Sequence, residues 1–141
     1  MYVLPLGPWA EQAICRTLVL SPGERLDIFF PSLEQHAGVD AIGSHAAAMK
    51  VAYAVCSLCP VRADCLAHAV LAVEDDGVWG RTTPDQRKRI RRYMRAYNLR
   101  CSAHLMASLE VTFLAMTKAE QNDLIHKKGR SPRAQEKACS G

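Results

Sequence analysis

Three cysteines within ten residues, in Cys56-Ser57-Leu58-Cys59-Pro60-Val61-Arg62-Ala63-Asp64-Cys65, constrain this chain more than any other feature. The spacing C-x2-C-x5-C leaves one position of a four-thiolate site to be filled from elsewhere, and Cys15, about forty residues upstream, is the natural candidate. A structural zinc site usually brings its cysteines as two close pairs; only one such pair is present. Iron–sulfur clusters accept irregular spacing, because the sulfurs wrap a bulky cofactor rather than a single ion. An iron–sulfur site is therefore the first reading and a zinc-stabilised DNA-binding module the second. A third takes Cys56 and Cys59 as the C-x-x-C pair of a thiol–disulfide reductase. That reading wants a βαβ setting, whereas the flanks here read as helices. Cys101 and Cys139 have no close cysteine neighbours and are taken as non-ligands.

The 141 residues suffice for one domain with a tail and are too few for two comfortable cores. No apolar run approaches the roughly 18 residues needed to span a bilayer, and no signal peptide is evident at the N-terminus. The expectation is a monomeric cytoplasmic protein with no membrane association. In a reducing compartment, six cysteines serve as ligands or redox thiols rather than as a disulfide framework. The net charge of +4 hides an asymmetry: residues 1–80 hold four Lys/Arg against nine Asp/Glu, and residues 81–141 hold fourteen against five. A basic half joined to an acidic one points to a C-terminal segment that faces nucleic acid.

The N-terminal prolines Pro5 and Pro8 disfavour an early helix, after which Glu11–Leu18 is expected to form a short helix carrying Cys15. Phe29 and Phe30 precede Pro31, and adjacent side chains do not share a face of a helix or strand; they cap a pocket, dock a partner or fill a core. Glu34–Gly43 reads as a loop. Ser44 offers an N-cap for an Ala-rich helix, His45–Val55, that stops near Cys56. Pro60 then opens an amphipathic helix over residues 60–74 with Cys65 on its buried face.

Asp75-Asp76-Gly77 ends that helix. Gly77-Val78-Trp79-Gly80 follows as a tight turn that presents Trp79, either to a partner or into the core. Thr83-Pro84-Asp85-Gln86 has the form of a capping box with proline at the first helical position. In the helix over 84–97, Ile90, Tyr93, Met94 and Tyr97 make one apolar stripe. Arg87, Lys88, Arg89, Arg91, Arg92 and Arg95 cover the rest. With only Asp85 to offset them nearby, these cations are expected to neutralise phosphate. Asn98 ends the helix, Leu105–Ile125 is expected to form another, and a disordered basic tail follows. Around Gly129, Arg130, Pro132 and Arg133 the tail resembles a minor-groove hook, interrupted by Ser131.

Taken together, Trp9, Cys15, Phe29-Phe30-Pro31, the three-cysteine segment, Gly77-Val78-Trp79-Gly80 and the basic helix resemble the WhiB-like proteins of actinobacteria and their phages, over about residues 9–95. The resemblance implies an all-α fold: a small helical domain wrapped around a [4Fe-4S] cluster held by Cys15, Cys56, Cys59 and Cys65. It implies a non-enzymatic transcription regulator, responsive to oxygen and nitric oxide. Such a regulator would bind the C-terminal domain of the primary sigma factor in RNA polymerase holoenzyme, with Trp9, Phe29, Phe30, Gly77, Val78, Trp79 and Gly80 at the contact. Promoter DNA would then meet Arg81 and the basic helix. Two departures stand out. Arg81 occupies the place of a second glycine after the turn, and the segment between Cys15 and Cys56 is longer than in many members. On this reading residues 1–100 form the WhiB-like domain and 101–141 a C-terminal extension.

Overall fold

The computed structural model describes residues 5–18, 20–21, 23, 28–30 and 41–129. They form a 3-10 turn, Pro8–Gln12, and six α-helices: α1 (Ile14–Thr17), α2 (Ala41–Leu58), α3 (Arg62–Leu71), α4 (Pro84–Ala96), α5 (Ala103–Val111) and α6 (Lys118–Gly129). The only strand-like pairing among the described residues is one antiparallel bridge, Trp79 to Thr82, so the all-α reading holds. No single helix among them is long and apolar enough to cross a membrane. The expected loop over 34–40, Pro31, and the tail from Arg130 through Cys139 lie outside the described residues.

Helix α3 divides the molecule. Its Leu66, Ala67 and Val70 join Ile90 of α4, Met106 and Leu109 of α5, Phe113 from the turn after α5 and Ile125 of α6 in one buried core. Its other side, with Cys65, faces a smaller cluster in which Phe29, Ala52, Cys56 and Val78 are buried and Cys15 packs beside them. The chain reaches α3 through a sharp bend at Cys59-Pro60, where the His45–Leu58 part of α2 and α3 meet at 117°. Proline lacks the N–H that a continuing helix would use, and Arg62 closes the end of α2 by donating from Nη1 to the Ser57 carbonyl at 2.7 Å and the Cys56 carbonyl at 3.3 Å.

Several boundaries differ from the sequence reading, each for a local reason. The expected Glu11–Leu18 helix is two short pieces broken at Ala13, whose ψ of 126° is extended. Helix α2 begins at Ala41, so Ser44 lies inside it, and it runs to Leu58, placing Cys56 in its last turn. Helix α3 stops at Leu71, before the expected Asp75, because Val73 turns left-handed with φ 54°. The Val73 and Glu74 amides then donate to the carbonyls of Val70 at 3.4 Å and Ala69 at 2.9 Å, a Schellman closure. Helix α4 ends the same way at Asn98, φ 51°, where asparagine is a favoured residue. The single helix expected over 105–125 is two. It breaks after Val111, and Thr117 with Glu120 restarts it as a reciprocal capping pair, Thr117 N to Glu120 Oε2 at 2.7 Å and Glu120 N to Thr117 Oγ1 at 3.2 Å.

A β-branched side chain in the left-handed region is strained, and Val73 is exposed, so nothing packs to compensate. Val73→Gly should stabilise the chain by about 0.5–1 kcal/mol once glycine's greater unfolded freedom is subtracted. A urea melt checks this through a higher midpoint at unchanged slope; an equal or lower midpoint overturns it.

Candidate metal centre

Cys15 comes from α1, Cys56 from the last turn of α2, Cys59 from the bend and Cys65 from the second turn of α3. All four line one cavity of about 510 Å³, and none is in a disulfide. Burial pushes the Cys56 thiol above its ordinary pKa and the Cys65 thiol up to about 12. Cys15 and Cys59 add to the shift at both, and Cys56 adds to that at Cys65. Positive charge entering the cavity would favour the thiolates of Cys56 and Cys65. Among the described residues no three His, Cys, Asp or Glu side chains converge tightly enough to hold one ion. The cysteines share the lining of this space, equal to roughly seventeen waters, with apolar and aromatic side chains, Trp9, Phe29, Phe30, Val78 and Trp79 among them. The redox-pair reading fares worse. A reactive C-x-x-C thiol gains from a helix N-terminus, whereas Cys56 sits at the C-terminal end of α2.

Residues 77–82 close the cavity. The Trp79 and Thr82 amides and carbonyls pair at 3.3 and 2.9 Å, and the intervening Gly80 and Arg81 have φ of 54° and 62°, which makes a type I′ turn. Gly80 is also required by contact: an added Cβ would lie 2.6 Å from Leu66 Cβ and 2.8 Å from the Arg62 carbonyl. Arg81 thus keeps the left-handed backbone that a glycine would adopt with less strain. The turn directs its amides at the sulfurs, Gly80 N–H toward Cys65 and Arg81 N–H toward Cys56, and both favour the thiolate.

Arg87 holds this turn. It is 0 % exposed. Its Nε donates to the Glu74 carbonyl at 3.0 Å, and Nη1 to the Thr82 carbonyl at 2.7 Å and hydroxyl at 3.2 Å. Nη2 donates to the carbonyls of Asp76 at 3.1 Å and Gly77 at 2.9 Å. Burial pulls its pKa down to about 10, so it stays charged at neutral pH.

The expected docking residues separate into two sets. Phe29 and Val78 are buried beside Cys56, and Gly80 is buried against α3. Trp9, Phe30 and Trp79 reach the surface in part, as does Gly77. Phe30 stacks edge-on to Trp79 at 6.4 Å between ring centroids, and approaches Gly77 so closely that a Cβ there would fall 2.6 Å from its ring. Trp79 donates its Nε1–H to the Asp76 carbonyl at 3.1 Å. His68, which the sequence reading passed over, lies between the tryptophans, 5.9 Å from Trp9 and 5.7 Å from Trp79. Its place one turn after Cys65 was the available signal.

The expectation that six cations of α4 face outward is corrected. Arg87 is buried in the turn. Arg89, 8 % exposed, donates to Gln121 Oε1 at 2.6 Å and pairs with Asp85; the hydrogen bond from Arg89 holds the Asp85 carboxyl below its ordinary pKa. Arg91 pairs with Asp75 at 3.1 Å. Lys88, Arg92 and Arg95, spaced along one helical face, are exposed, as is Arg81.

Residues 9–90 match the family profile described as transcription factor WhiB. The chain is 33 % identical over 84 residues to transcriptional regulator WhiB1 of Mycobacterium tuberculosis, in strains CDC 1551 and H37Rv, covering 60 % of this chain and 84 % of that protein. It is 53 % identical over 36 residues to transcriptional regulator WhiD of Streptomyces coelicolor, covering 26 % and 32 % of the two chains. No solved structure matches it significantly.

Arg87→Met keeps the bulk of the side chain and removes its donors, leaving the Glu74 and Gly77 carbonyls unpaired and those of Thr82 and Asp76 with Trp79 alone. The expected cost is about 3–5 kcal/mol, read by urea denaturation. A loss below about 1 kcal/mol, the level of one ordinary hydrogen bond, would mean that the turn holds its shape without the guanidinium.

Proposed function

The chain belongs to the WhiB family of transcription factors, and from that premise we propose that it is a regulator built on a [4Fe-4S] cluster bound by Cys15, Cys56, Cys59 and Cys65. The observation that carries the reading is the convergence of these four sulfurs on one cavity roofed by amide-donating backbone. Bound there, the cluster supplies a centre that reacts with oxygen and nitric oxide. The protein's own part is to hold four thiolates, give N–H donors to two of them and line the rest of the cavity with apolar side chains.

The partner in this proposal is the C-terminal domain of the primary sigma factor, docked on the rim formed by Trp9, Phe30 and Trp79 with His68 between. Supporting it, the rim presents aromatic surface already fixed by ring contacts and by the Trp79 indole hydrogen bond. Phe29, Val78 and Gly80 then act from beneath, by shaping the wall that carries the rim. Promoter DNA is met by Arg81, Lys88, Arg92 and Arg95, whose charges are not buried. Arg87, Arg89 and Arg91 serve the fold.

The first test is purification without oxygen, with iron, sulfide and zinc measured. About four irons and four sulfides per chain, with visible absorbance lost in air or on nitric oxide, are expected; one zinc and no sulfide overturns the cluster. Trp79→Ala protein that retains its cluster should bind the sigma-factor domain at least about thirtyfold more weakly, the weight of a central tryptophan anchor; undiminished capture removes the docking proposal. Replacing Lys88, Arg92 and Arg95 together with alanine should lower the slope of log K against log salt by about three. An unchanged slope would assign DNA contact to other cations.

A further inference from the structure

The match to the family ends at residue 90, yet α5 and α6 beyond it do more than fill the core. Glu110, in the last turn of α5, grips Arg62 with both carboxylate oxygens: Arg62 Nε donates to Oε2 at 3.1 Å and Nη2 lies 2.7 Å from Oε1. Arg62 is the first residue of α3 and part of the wall of the sulfur-lined cavity. Its third nitrogen, Nη1, holds the carbonyls of Cys56 and Ser57. One guanidinium therefore ties together the end of α2 that carries Cys56, the start of the helix that carries Cys65, and the C-terminal extension. The planar fork of arginine suits this, since two nitrogens can meet a carboxylate while the third faces elsewhere.

Both partners are only about a quarter exposed, with side-chain accessibilities of 27 % and 26 %, so the pair is screened less than an exposed one. Without Glu110, Arg62 would keep its charge beside the cavity, with no fixed anion and with the α2 end held by a freer side chain. We propose that Glu110 is a positioning residue for the metal centre: acting through Arg62, the extension fixes the Cys56 end of the site and balances the cation in its wall. The charge and anchoring that Glu110 supplies then set the reduction potential of the bound cluster and the rate at which it is lost. This rests on the cluster reading above.

The test uses the full chain loaded anaerobically, as wild type, Glu110→Gln, Glu110→Asp and, as a surface control in the same extension, Asp123→Asn. The one-electron midpoint potential of the cluster and the first-order loss of its visible absorbance in air are measured for each. Glu110→Gln should shift the midpoint to a more positive value, because an unbalanced cation favours the more reduced and more negative cluster. It should also lose the cluster several-fold faster. Glu110→Asp keeps the charge and should bring the potential back toward wild type, which a purely packing role for α5 would not do. Asp123→Asn should match wild type in both readings. If Glu110→Gln has the potential and loss rate of wild type, the inference is overturned and the cluster reading stands. If wild type itself takes up zinc and no sulfide, both fall.

Discussion

Cysteine sulfurs gathered around one cavity oppose one another's ionisation, and burial in a low-dielectric wall adds to the cost. The rest of the structure is arranged around that constraint. At two of the sulfurs the peptide N–H groups of residues 80–81 favour the ionised form. Two buried or half-buried guanidiniums stand behind them, Arg62 at the end of α2 and Arg87 beneath the turn. Neither cation points into the site as a free charge. Each is spent on carbonyls, so that it fixes backbone, and the backbone in turn offers dipoles of the correct sign. Preorganised amides do this without the rotamer entropy that a flexible lysine would lose.

The same arrangement couples the buried site to the surface. The carbonyls of Asp76 and Gly77 are held by Arg87, and Asp76 also receives the Trp79 indole. Gly77 is left bare so that Phe30 can lie against it. Trp79 of the aromatic rim and the amides that face the sulfurs are therefore parts of one six-residue turn. A change in how the sulfurs are held acts on the turn first, and any partner seated on Trp79 rests on the element most exposed to that change. His68 extends the connection to Trp9, since it stands on α3 one turn beyond Cys65 and meets both indoles.

Much of this was legible in the sequence where the signal is local. The Thr83 capping box and the stop at Asn98 each depend on a few neighbouring residues, and the structure follows them; the closely spaced Cys56, Cys59 and Cys65 line one cavity. Where the outcome depends on tertiary contact the sequence was ambiguous. Arginines on a helix with no acid three or four residues away read as solvated, yet the partners of Arg87 and Arg91 come from residues 74–82, across a turn. One cue was present: Arg87 lies three residues before Ile90 and so continues the apolar stripe. The break between α5 and α6 was also readable, since Thr117 and Glu120 have capping-box spacing, but the apolar periodicity ran through it and outweighed the local cue. Val73 gave no warning at all, because a β-branched residue is among the poorest choices for a left-handed helix end.

The family match and the folding unit do not share a boundary. Residues 9–90 carry the four cavity-lining cysteines, the turn and the first half of α4, but Ile90 and Leu66 are buried against Met106, Leu109, Phe113 and Ile125, which lie beyond it. Gln121 bridges the break, donating from Nε2 to the Phe113 carbonyl at 2.8 Å while its oxygen receives Arg89. Burying four large apolar side chains is worth on the order of 6–12 kcal/mol before entropy is counted, comparable with the whole stability of a small domain. A chain cut at residue 100 would expose the back of α3, the helix whose front carries Cys65. In this protein the extension is thus part of what keeps the sulfur-bearing helix in place.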